Sequence, residues 1–185
     1  MPAEPSQTDF PIDADPPTLD GLFTLAYEEL RRLAATVRRS DPSATISPTA
    51  LVNEAWLKLA ASPHLAPTSR LHFKRIAARA MRQILVEAAR RRNATKRGGG
   101  KIALVTFDDD IDAGVDSAGE LLALDAALEG LARVSPRQAA MVESRFFAGL
   151  DIPETAELLG VSEATVLRDW RAAKAWLAVE LQRVG

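Results

Sequence analysis

From Leu19 the apolar positions fall at Leu19, Leu22, Phe23, Ala26, Leu30, Leu33, Ala34 and Val37, the three-and-four spacing of one helix face. This pattern predicts a first helix that ends near Arg39, where Asp41-Pro42-Ser43 breaks it. Ser47-Pro48 offers an N-cap followed by proline at the first helical position, so a second helix is expected from Pro48 to Ala61. Beyond Pro63 and Pro67, the residues Phe73, Ile76, Ala77, Ala80, Ile84 and Ala88 mark a third apolar stripe, over residues 70–92. The other side of that helix carries Lys74, Arg75, Arg79, Arg82 and Arg90. One side packs and the other is left for solvent or a partner.

The last third of the chain is punctuated by capping signals. Ser117 with Glu120, Ser135 with Gln138 and Asp151 with Glu154 each place a capping side chain three residues before a Glu or Gln. Ser162 is a simple N-cap with Thr165 in the third position. Gly130, Gly149 and Gly160 stand where C-terminal glycines belong. Helices are therefore expected at 118–132, 136–148, 152–159 and 163–182. Only Ile102 to Phe107 reads as a short strand, and there is no internal repeat. The predicted class is all-α: two small helical modules joined by an acidic flexible linker, the second a helix-turn-helix. The expected boundaries are a Pro-rich acidic tail over 1–17, a first module over 18–101, a linker over 102–117 and a second module over 118–185.

Composition agrees with this and adds one surprise. The chain has 185 residues, 47% hydrophobic and only 5% aromatic, which suits Ala- and Leu-rich helices. Its net charge of -2 would ordinarily argue against a polyanionic partner. The distribution argues otherwise: residues 62–101 hold eleven bases against the single acid Glu87, and residues 102–129 hold eight acids and no base. The sign of each block is the informative quantity. Cysteine is absent, so disulfides, thiolate metal sites and cysteine nucleophiles are excluded. The chain lacks a membrane-length apolar run and a signal-peptide pattern, and the expected location is cytoplasmic with no membrane partner.

Asp151 to Lys174 carries the strongest local signal, a short helix, a tight Gly160-Val161-Ser162 turn and a longer helix. Ala156 is the small residue where the helices abut, and Val161 and Val166 are the branched residues that lock the crossing of a helix-turn-helix. In such a unit the start of the second helix enters the major groove, which selects Glu163, Ala164, Thr165, Arg168 and Asp169, with Arg171 and Lys174 placed to meet phosphate. The basic block points to a polyanion on the third helix. Enzyme readings fare poorly. The triple glycine 98–100 is followed by Lys101-Ile102, which does not complete a phosphate loop. His64 and His72 lack metal-ligand or triad spacing, and Asp108, Asp109 and Asp110 lie in a linker without a second shell. No catalytic residue, metal or cofactor is expected. Trp56, Leu51, Val52, Leu57 and Leu59 give the second helix apolar groups on more than one side, part of which is available to a partner. Trp170 and Trp176 are expected as core anchors.

Taken together, these segments resemble bacterial sigma factors of the sigma-70 family, of the extracytoplasmic-function (ECF) type and its ECF-like branch. The matching text is residues 48–59 (PTALVNEAWLKL), 73–92 with its Met81-Arg82 centre, Ser135 to Gln138, Arg145 to Phe147, Glu154 to Gly160 and Thr165 to Arg171. The resemblance implies a non-enzymatic factor that binds core RNA polymerase and promoter DNA, with an anti-sigma factor as a further partner the family allows. It implies that Leu51, Asn53, Glu54, Leu57 and Lys58 dock on the polymerase. It implies that Phe73, Lys74, Arg75, Arg79, Arg82 and Arg90 meet the -10 strand, and that Arg168 and its neighbours read the -35 duplex. The loop from Ser62 to Ser69 is the expected receptacle for an unstacked base, and the acidic linker is expected to enter the polymerase's RNA path. The competing reading is a stand-alone helix-turn-helix regulator, which leaves the basic third helix unexplained.

Overall fold

The computed structural model describes residues 18–39, 46–62, 67–95 and 118–184. The acidic tail, the strand-like stretch 102–107, the triple glycine, the linker and Ser117 lie outside the described residues, as do residues 63–66 of the loop proposed for a flipped base. Among the described residues there is no strand, and the chain is all-α. Its helices are α1 (Leu19–Arg39), α2 (Pro48–Ala60), α3 (Arg70–Thr95), α4 (Ala118–Val134), α5 (Pro136–Phe146), α6 (Ile152–Leu159) and α7 (Glu163–Val184).

The helix starts follow from capping chemistry at three of the expected sites. The Ser47 hydroxyl accepts from the Ala50 N–H at 3.1 Å. Asp151 accepts from the Glu154 N–H at 2.8 Å while the Glu154 carboxylate takes the Asp151 N–H at 3.0 Å, a complete capping box. The Ser162 hydroxyl accepts from the Thr165 N–H at 3.2 Å. Each satisfies donors that the first helical turn leaves without intrahelical partners. Ser135 differs from expectation. Its side chain makes no cap bond, and α5 begins instead on Pro136, whose fixed φ already matches the helix.

Gly149 and Gly160 both hold φ at +63°, the left-handed conformation that ends a helix cheaply only with glycine. Gly130 corrects the sequence reading. It is not a stop, since α4 continues to Val134. A Cβ there would meet the Trp176 ring at 2.9 Å, so this glycine is required by the close approach of α4 to α7.

Helices α1, α2 and α3 pack on one another, and α4 to α7 form a second group. The first core is built from Leu22, Leu30, Leu51, Val52, Phe73 and Met81; the second from Leu124, Leu131, Met141, Val142, Val166, Trp170 and Leu177. Trp170 is buried and Trp176 packs against this core, as expected. Helix α3 belongs to both groups, because α4, α5 and α6 all pack against it. Two features fill this junction. Phe147, from the turn after α5, is buried and lines a small void with Ala34, Leu51, Ala78, Met81 and Leu85. Gly149 comes so close to Leu33 of α1 that a Cβ would lie 2.5 Å from its Cδ2.

Candidate functional site

On α2, the positions 51, 55 and 59 recur at steps of four and are buried. Leu51 is therefore part of the core and offers no surface to a partner in this arrangement. Its four companions in the expected docking set, Asn53, Glu54, Leu57 and Lys58, are all exposed. Leu57 is 66% exposed, an unpartnered leucine framed by polar groups. Lys58 reaches Glu87 of α3 at 3.4 Å, a solvent-exposed pair that contributes little. Trp56 stacks on Phe23 with ring centroids 4.5 Å apart and anchors α2 to α1.

The basic row of α3 divides into covered and open members. Phe73 is 0% exposed; with Ala77, Ala80 and Ile84 it forms the apolar stripe, and its ring supports the row from beneath rather than facing outward. Lys74 is buried, with its ammonium 2.9 Å from Glu29 of α1 and 3.6 Å from Glu154 of α6. Arg70 also pairs with Glu29. Arg82 has a side chain only 14% exposed. Its Nε and Nη2 donate to Asp125 Oδ1 at 2.9 and 2.8 Å, and its Nη1 donates to Glu143 Oε1 at 2.9 Å. The guanidinium also lies 5.6 Å from the Phe147 ring centroid. Arg90 extends the cluster, with Nη2 3.4 Å from Asp125 Oδ2. Arg75 is half-buried and Arg79 exposed. Both line a cleft of about 620 Å³ between α3 and the α4–α5 pair, whose opposite wall carries Asp125, Glu129 and Glu143.

At the start of α7 the picture is different. Glu163, Ala164, Arg168 and Arg171 are exposed and Thr165 is half-buried. Val166, Trp170, Ala173 and Leu177 turn inward. Asp169 is also buried, because Arg137 of α5 holds its Oδ2 at 2.9 Å through Nε and 2.8 Å through Nη2. It braces α7 against α5 and does not join the outward row. Lys174 is half-buried, with its ammonium 5.8 Å from the Trp170 ring centroid, and Arg145 covers the same ring at 4.2 Å.

Asp125, Glu143, Phe147, Arg137 and Arg145 were not among the expected site residues. The two acids left a readable signal: Asp125 lies on the stripe of Leu121, Leu124 and Leu128, and Glu143 on that of Ala139, Val142 and Phe146. A carboxylate on an apolar stripe needs a cation facing it. Among the described residues no cluster of three or more His, Cys, Asp or Glu could hold a metal ion, and no helix is long and apolar enough to cross a membrane.

No curated protein and no solved structure matches the chain. A family model does, over residues 12–183, and its description is ECF sigma factor. This match spans both helical groups and the segment between them, and on that ground the chain belongs to the ECF sigma factor family, non-enzymatic factors of promoter-directed transcription initiation.

Proposed function

We propose that this chain binds core RNA polymerase through the exposed strip Asn53, Glu54, Leu57 and Lys58 of α2, engages the -10 strand with the basic row of α3, and reads the -35 duplex with the start of α7. The observation that carries the reading is the α6–turn–α7 unit. Its first helix is capped by Asp151, its turn is made by Gly160 at φ +63°, and its second helix sends Val166 and Trp170 inward while Arg168 and Arg171 remain exposed. An exposed arginine near a helix start is suited to a bidentate contact with guanine, and its basic neighbours to phosphate.

The α3 row supports the second element. A single strand is held by cations that track its backbone together with apolar groups that receive unstacked bases, and Arg75, Arg79, Arg82 and Arg90 fall on one face of one long helix. The exposed Leu57 supports the third, since a leucine left in water among polar groups marks a contact surface once a partner's chemistry is in view. Regulation by an anti-sigma protein is compatible with these surfaces.

Run-off transcription with purified core polymerase on a library of promoter sequences tests the proposal. Factor-dependent transcripts from templates sharing two spaced elements support it. Tight binding of the free chain to duplex operators, with no polymerase association, would sink it in favour of a stand-alone regulator.

A further inference from the structure

We infer that Leu167 is a base-reading residue of α7, and that the apolar spot it forms with Ala164 selects thymine through the base's methyl group in the duplex that α7 reads. This rests on the proposed reading of that duplex by the start of α7. Leu167 is 40% exposed and is neither part of the core nor among the partly buried apolar residues packed against it. A single exposed leucine is ordinary on a protein surface, and it is the place of this one that gives it meaning. Val166, Trp170, Ala173 and Leu177 hold the inward side of α7. Glu163, Ala164, Leu167, Arg168 and Arg171 are exposed and recur at steps of three and four, as neighbours on one helix surface do. Leu167 follows the first residue of α7, Glu163, by about 6 Å along the axis, within the part of a recognition helix that meets base edges.

The chemistry of that face narrows what Leu167 can do. In the major groove guanine is matched by arginine, cytosine by an acidic side chain, adenine by asparagine or glutamine, and the thymine methyl by an apolar group. Arg168 supplies the first of these and Glu163 the second. No asparagine or glutamine occurs between Gln138 and Gln182, so the face holds no amide to pair with adenine. Thr165 is half-buried, and its hydroxyl lies 2.9 Å from that of Ser162, within the helix cap. An A·T pair is therefore left to be recognised from its thymine side, and Leu167 with Ala164 is the apolar group available for it. Covering leucine with a methyl group also removes from water a surface that α7 exposes in the free chain. Leu167 and Arg168 are successive residues with Cα atoms about 3.8 Å apart, and bases rise about 3.4 Å along a strand. The selected thymine thus falls within about three base pairs of the guanine that Arg168 meets.

The probe is a promoter duplex selected by run-off transcription with core polymerase, in which each thymine of the upstream element is replaced in turn by deoxyuridine. That change removes the methyl group and keeps the base pair. With the full-length chain bound to core polymerase, deoxyuridine at one thymine, or at two adjacent ones, is expected to weaken competition binding about fourfold, the worth of one methyl group taken out of water. Leu167→Ala is expected to weaken binding of the unmodified duplex by a similar factor and to abolish the difference between thymine and deoxyuridine at that position, with circular dichroism unchanged. Leu167→Met is expected to restore the difference, and Arg168→Ala to retain it. An upstream element without thymine, a duplex in which no deoxyuridine alters affinity, or a thymine effect that persists undiminished in Leu167→Ala overturns the inference. The deoxyuridine series on the unsubstituted chain needs no variant, so it decides even where a variant folds poorly. Failure of the functional reading looks different: a chain that is no promoter factor gives no factor-dependent transcripts and both fall, whereas failure of the inference alone leaves the transcripts intact and indifferent to the methyl group.

Discussion

Two arginine-bearing surfaces of this protein face opposite fates. On α7, Arg168 is exposed and Arg171 beside it is open to solvent, while the inward side of the same helix is held by Val166, Trp170 and the Arg137–Asp169 pair. On α3, Arg82 and Lys74 are nearly as deep as core residues, and their partners come from helices elsewhere in the chain. One surface is open to solvent, and the other is already paired within the chain. Exposure is therefore as informative as charge: a cation paired with a carboxylate of the same molecule must give up that pairing before it can meet a phosphate.

The sharpest way to break the contrast is to remove each arginine in turn. Arg82→Ala leaves Asp125 and Glu143 facing one another in a covered site, and loss of one partner from a buried ionic cluster typically costs about 3–5 kcal/mol. Hydrogen exchange should show this as faster opening of the amides of α4 and α5 that border α3. Arg168→Ala should leave the thermal midpoint within the shift of an ordinary surface change, about 0.5 kcal/mol, yet cost about 1–3 kcal/mol in binding the preferred -35 duplex, measured by titration with single-base variants. Should both substitutions move stability equally, the distinction between a covered and a presented surface fails.

Smaller effects sharpen the account of why α7 is presented at all. Gly160→Ala forces a side chain into the left-handed region at a turn with open space around it, and should cost about 1–2 kcal/mol in a denaturant titration. Asp151→Ala removes one half of the capping box and should cost about 1 kcal/mol by the same measurement. Leu57→Ser should change stability least of all, since that side chain is mostly in water, and should weaken core polymerase association in a pull-down.

Most of the helical framework was legible because it depends on neighbours within a few residues. The ends of α1 and the whole of α6 follow from apolar spacing, Pro and Gly. What escaped depends on contacts across the chain. Gly130 has the sequence signature of a helix stop, and only Trp176, on another helix, explains why it lies inside one. Ser135 looked like a cap because its spacing to Gln138 is right, but its backbone sits at φ -147° and ψ 88° and its hydroxyl makes no cap bond. Among the site residues, Arg79, Arg168 and Leu57 are exposed as the amphipathic patterns suggest. Leu51 and Phe73 are buried because they lie on the inward stripes of α2 and α3, and Asp169 is buried where Arg137 of α5 pairs with it. Arg82 finds its partners 43 and 61 residues away, a separation about which local periodicity carries no information.

The glycine at 130 also has a mechanical meaning. It lets the backbone of α4 bear directly on the Trp176 ring, which fixes how closely α4 and α7 approach at that crossing. Arg168 lies eight residues toward the helix start, about 12 Å along the axis at 1.5 Å per residue. A shift of about 1 Å over that length is a tilt of several degrees, so packing at residue 130 bears on how the exposed Arg168 is oriented without touching its neighbours. Side-chain volume at position 130 thus bears on a surface it never touches.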